Sequence, residues 1–330
     1  MLEGYSGGGP VRAGHLELVV GEAPFCVWDW HLRERNQQFL DSIDHQFFLS
    51  VCASQVGALL SEEENERRHA ALALRLFYGH AQETLLSLLA ATVQAPDCAF
   101  AWLSCYREPH LRLVIDALSN ERPVHSRLTT ESLSWESLSN CIFQMLSSTE
   151  QEKAARIKAA FALFWRQSAE AYLEEHNQVE FNSIKHGLRA RSGGFSLALA
   201  PEASPGSPGP ASQLHTVIAG EFGSSFMSVC KLSPSPHITF KDMAVNWKPE
   251  SLIAAIELSA LSISNIATFL RLYAGAEPDG QRYQWPKNME LFDVASQQLP
   301  GRTRFSFGPS VTTDHIQPLT PREILLRYGQ

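Results

Sequence analysis

The residues best suited to chemistry lie in one short segment, Phe181-Asn-Ser-Ile-Lys-His-Gly-Leu-Arg189. If this is the last turn of a helix, Asn182 and His186 are four apart and share a face, with Lys185 beside them. An amide, an ammonium and an imidazole then converge near the negative end of the helix dipole, which suits cations. Arg189 and Arg191 extend the positive patch. It is a seat for a phosphate or a carboxylate. In a phosphoryl reaction His186 would serve as general acid or base, Asn182 would position it, and Lys185 or Arg189 would stabilise phosphate charge. The same residues also have a reading without a ligand. Asn182 and His186 would satisfy buried backbone groups, Lys185 and Arg189 would tie down helix-end carbonyls, and Gly187 would only stop the helix.

A second polar group, Arg67-Arg-His69 with Arg75, His80, Gln82 and Glu83, lies along a mostly apolar stretch. Arg75 and His80 are five apart, about 500° around the axis, so they do not share one face well. Arg75, His80 and Glu83 are candidate binding residues, as a buried polar network meeting the first cluster; otherwise His80 is a core histidine bonded to a neighbouring helix.

Other chemistries find less support. Twelve histidines invite a metal, but Glu66-Arg-Arg-His69 occurs once where a carboxylate bundle needs the pattern twice, and neither His-Glu-x-x-His nor paired cysteine knuckles occur. No metal site and no cofactor are expected. Gly4 to Gly9 lacks the lysine and serine of a phosphate loop, Gly220-Glu-Phe-Gly223 is too short for a dinucleotide fingerprint, and Gly-x-Ser-x-Gly is absent.

Helices must position the two clusters. Apolar spacing predicts a helix over residues 33–60, and Ser61-Glu-Glu-Glu64 reads as a capping box opening a long helix to about Gln94. Gly79 in its middle costs about 1 kcal/mol relative to alanine and marks close packing or a bend. Shorter helices are expected over 97–106, 109–118 and 135–146. Thr149-Glu-Gln-Glu152 is a second capping box, opening one helix or two that end at Gly187. Residues 16–20, 194–199, 225–232 and 237–241 read as strands, the last three forming a small antiparallel sheet. A strongly apolar helix over 252–273 belongs in the core, and Thr320-Pro-Arg-Glu323 opens a last short helix. The expected fold is therefore mainly α, a helical bundle with a small antiparallel sheet inserted between the later helices. Residues 1–14 form a tail, and 15–330 form one domain in which 192–245 is a β-rich insertion with a Pro/Gly/Ser loop at 201–213.

Composition bounds the function. The chain has 330 residues, 44% hydrophobic and 19% charged, which excludes a disordered polymer. Its 27 basic and 35 acidic side chains give a net charge of -8, so a broad duplex-DNA surface is not expected. The six cysteines are scattered through apolar runs and behave as small buried hydrophobes, and no uninterrupted apolar run of eighteen residues occurs. A cytoplasmic setting without membrane contact is expected.

Asn182-x-x-x-His186-Gly187 on a helix of a mainly helical chain resembles the HEPN superfamily, whose usual signature is Arg-x(4-6)-His. The likeness covers Thr149 to Arg191 and the preceding helices. It implies a helical bundle that dimerises with its motifs facing. Many members cleave RNA without a metal; others are interaction or nucleotide-binding modules. Here Phe181 stands at the arginine position before Asn182, while Arg75-x(4)-His80 fits only the bare spacing. Two functions follow: a catalytically silent HEPN-like interaction or regulatory protein, or a metal-independent endoribonuclease built on His186, Asn182 and Lys185. The partners implied are a second copy of the chain and an RNA or nucleotide at the local basic patch.

Overall fold

The computed structural model describes residues 15–27, 31–128, 133–144, 151–187, 189–202, 206–207, 210, 214–231, 238–277, 282–296, 303–307, 310–311 and 319–328. In chain order the elements are a hairpin, β1 (Leu16–Val20) and β2 (Ala23–Val27), then α1 (Leu32–Ser42), α2 (Gln46–Leu59), α3 (Glu64–Gln94), α4 (Ala99–Cys105), α5 (Glu108–Ser119), α6 (Trp135–Ile142), α7 (Gln151–Leu173) and α8 (Glu175–Lys185). Next come β3 (Ala190–Ser192), β4 (Ser196–Leu199), β5 (His215–Ala219), β6 (Gly223–Lys231), β7 (Ile238–Asn246), α9 (Pro249–Tyr273), α10 (Glu290–Ser296), β8 (Thr303–Phe307), β9 (Ser310–Val311) and α11 (Pro321–Tyr328). The fold is mainly α with small antiparallel sheets.

Two long helices form its axis. α9 carries apolar residues around most of its circumference, as a core helix must, and α3 packs along it, with α2, α7 and α10 closing the sides. By length and hydropathy α9 is apolar enough to cross a membrane, yet 83% of that apolar window is buried inside the protein. Polar residues join elements across the core: the Trp165 indole donates to Ser262 Oγ at 2.9 Å, linking α7 to α9. Gln94, the last residue of α3, accepts from Gly21 N at 2.7 Å and Trp102 Nε1 at 2.9 Å and donates to Gly21 O at 2.9 Å. One amide thus pins the β1–β2 turn and α4 to the end of the long helix.

The main sheet has the order β3-β6-β7-β8, all antiparallel, with β9 also on β7; β4 and β5 form a separate hairpin. Ser224, Phe226, Met243, Val245 and Trp247 are buried on the face toward α3 and α8.

Several local expectations are adjusted. The helix expected over 33–60 is two, α1 and α2, broken at residues 43–45. Ser61 does not cap α3: its hydroxyl accepts from Glu63 N at 3.2 Å and donates to Glu66, and the helix starts at Glu64. The segment up to Gly187 is also two helices, since Leu173 and Glu175 belong to different elements. β8 and β9 extend the sheet from the C-terminal part of the chain, where no strand was expected. Cys26 is exposed, while Cys52 and Cys98 are buried and Cys105 and Cys141 are half-buried. The tail 1–14, most of the loop at 201–213 and residues 149 and 150 of the second capping box lie outside the described residues.

Candidate functional site

The middle of α3 faces α8, and this contact brings the two sequence clusters together. Arg75, in the apolar run Leu72-Ala-Leu-Arg-Leu76, is 2% exposed, and Glu180 opposite it is 0% exposed. Such charges are tolerated in a core only when paired and fully hydrogen-bonded. Arg75 Nε and Nη2 donate to Glu180 Oε2 at 3.0 and 2.7 Å, while Ser224 Oγ and Trp247 Nε1 donate to Oε1 at 2.6 and 2.9 Å. The guanidinium also lies 5.5 Å from the centre of the Tyr78 ring. One carboxylate therefore ties α3, α8, β6 and the residue after β7 at a single point.

The next residue, Phe181, is buried against Gly79. A Cβ on residue 79 would collide with its ring, so of the two roles open to this glycine, close packing or a bend, the structure shows close packing. His80 meets that ring at a near right angle, 5.6 Å between centres, and Lys185 Nζ sits 5.3 Å from the ring centre and 4.0 Å from Glu83. Burial, reinforced by Lys185 and opposed by Glu83, holds the His80 imidazole below its ordinary pKa. His80 and Glu83 also line a cavity of about 390 Å³ between α1, α2, α3, α4 and α9, together with Tyr106 and Asp44.

The exposed half of the expected site is arranged differently. α8 ends at Lys185, and His186 is its C-cap, with its backbone N–H donating to Asn182 O at 3.0 Å. Gly187 takes the left-handed conformation, φ +80°, that stops the helix. Arg189 donates from Nε to His186 O at 3.1 Å and from Nη2 to Asn182 O at 3.4 Å, so it satisfies helix-end carbonyls. Lys185 does not; it is drawn away to Glu83. Among the described residues the side chains of Asn182 and His186 have no hydrogen-bond partner, so they do not serve buried backbone groups either. His186 is exposed and does not line the cavity that His80 and Glu83 border. Arg191 projects from β3 into solvent, next to buried Ala190.

In the other group Arg67 pairs with Glu221 at 2.8 Å and Arg68 with Glu64. Sequence reasoning missed Glu180, Ser224, Trp247 and Tyr106. The available signal was Arg75 itself: a charge in an apolar run requires a buried acid elsewhere, and Glu180, between Val179 and Phe181, is such an acid. Among the described residues no group of three or more His, Cys, Asp or Glu is placed to hold a metal ion. Burial pushes the Cys52 thiol up to about 11 and raises those of Cys98, Cys105 and Cys141, so these sulfurs remain protonated and weakly reactive.

Comparison of the chain with family models, curated proteins and solved structures gives no match.

Proposed function

We propose that the protein is a helical interaction or regulatory module of HEPN-like type, catalytically silent, whose polar centre is structural. The observation that carries this reading is the saturation of that centre: Arg75, the one arginine at motif spacing from His80, spends its charge on buried Glu180, and Phe181 fills the motif's other arginine position as a packing residue. Neither can reach a scissile phosphate. The interaction role is supported by apolar side chains left on the surface, Leu199 and Val217 on the β4–β5 hairpin and Leu325, Leu326 and Tyr328 on α11, the last three 71%, 67% and 81% exposed. Free cysteines held as thiols suit a reducing, cytoplasmic setting.

A metal-independent endoribonuclease is the second reading, favoured by the exposed His186 beside Arg189. One experiment separates them: wild type and His186→Ala are incubated with mixed RNA in EDTA, with melting temperatures in parallel. The expected result is intact RNA with both proteins and melting temperatures that coincide, because an exposed side chain without partners contributes within about 0.5 kcal/mol. Cleavage by wild type that disappears in His186→Ala would overturn the proposal.

A further inference from the structure

We propose that the cavity between α3 and the α1–α2 corner binds a small organic cation, an amine carried on an apolar or aromatic body. This goes beyond the interaction role and does not depend on it. The cavity, about 390 Å³, lies within the range of small-molecule sites, roughly 300–1,000 Å³. Phe39, Phe48, Leu103 and Ile263 give it an apolar lining suited to the body of such a ligand.

Four polar side chains in the wall, Asp44, Glu83, Thr84 and Ser87, offer a ligand only lone pairs; the other two are the His80 imidazole and the Tyr106 hydroxyl, which bonds Ser87. Thr84 Oγ1 donates its proton to His80 O at 2.8 Å and Ser87 Oγ donates to Thr84 O at 3.0 Å, so both hydroxyls have only lone pairs left to offer a ligand. Glu83 stands in the wall and Asp44 at the α1–α2 corner, each a carboxylate that accepts and does not donate when ionised. Asp44 Oδ1 already accepts from Gln46 N at 2.9 Å, leaving Oδ2 available.

The electrostatics point the same way. Lys185 Nζ lies 4.0 Å from Glu83 Oε2 on the α8 side, which leaves Oε1 for a ligand, and Arg271 is engaged by Asp41 at 3.0 Å. His80 is kept largely uncharged at neutral pH by burial and by Lys185, so it does not oppose a cation. The rings of Phe39, Phe48 and Tyr106 line the same cavity. An ammonium presents three donors and no acceptor, which complements this wall; a carboxylate or phosphate would meet lone pairs and two acids.

The test is calorimetric titration of the full chain with phenethylamine, 2-phenylethanol and phenylacetate, followed by Glu83→Gln and Leu103→Trp, the latter filling the cavity. The expected result is saturable binding of phenethylamine, weakened about tenfold or more in Glu83→Gln and in the neutral alcohol, and abolished in Leu103→Trp. Circular dichroism checks that both variants are folded; if Leu103→Trp is not, Thr84→Trp replaces it as the blocking variant. The proposal is overturned if phenethylamine does not bind saturably, if the alcohol or the acid binds as tightly, or if a folded blocking variant binds as wild type does.

Discussion

Replacing Gly79 by alanine sets two effects of known size against each other. In a helix interior alanine is favoured over glycine by about 1 kcal/mol, so an exposed site would gain stability. At position 79 the new methyl would enter space held by the Phe181 ring. Phe181 is buried and also touches His80 and Lys185, so it has little room to withdraw. Overpacking of this kind costs about 1–3 kcal/mol. The net expectation is destabilisation by roughly 1 kcal/mol in the wild-type background. In a Phe181→Ala background the obstruction is gone and the sign reverses, with Gly79→Ala stabilising by about 1 kcal/mol. Urea unfolding of the four proteins measures this, provided that tryptophan fluorescence and far-ultraviolet dichroism give coincident transitions. A stabilising Gly79→Ala in wild type, or equal effects in the two backgrounds, would refute the packing assigned to Phe181.

Gln94→Ala should cost about 2–4 kcal/mol, because it strands the Gly21 backbone and the Trp102 indole at once; hydrogen exchange should show early loss of protection in residues 16–27, and unchanged protection there would count against it. His80 titrates in the folded protein below its ordinary value of 6.5, so the unfolded chain binds more protons just below that pH; stability is fully present above 6.5 and falls as pH drops. His45 and His125, also lowered by burial, act in the same sense. His80→Gln should flatten the fall measured by unfolding at a series of pH values below 6.5, and an unchanged slope would remove His80 from the explanation.

Where periodicity was strong, structure was legible in the chain. The apolar circumference of residues 252–273 placed α9 in the core, the Thr320 box caps α11 with Glu323 accepting from Thr320 N at 2.7 Å, and Gly187 stops α8. Gly79 announced a close approach without naming its partner, since Phe181 is about a hundred residues away. The sheet was half visible: β6 and β7 fall on the strands read at 225–232 and 237–241, but 196–199 pairs with β5 in a separate hairpin and not with them, and β8 is short and becomes a strand only by tertiary pairing with β7. For the site, local spacing correctly brought Asn182, Lys185 and His186 near one helix end, but it could not show that Lys185 turns toward Glu83. Nor could it reveal Glu180, whose role exists only because three distant donors converge on it.

The central claim, that Arg75 and Glu180 are a structural pair and not a reactive one, is tested most directly by a double-mutant cycle with Arg75→Met and Glu180→Leu. Each single change leaves a buried charge without its partner and should cost about 3–5 kcal/mol. The double variant should be much less destabilised than the sum, still leaving Ser224 and Trp247 to find new partners, so the coupling should be at least about 2 kcal/mol. Additive effects, or single variants as stable as wild type, would contradict the claim.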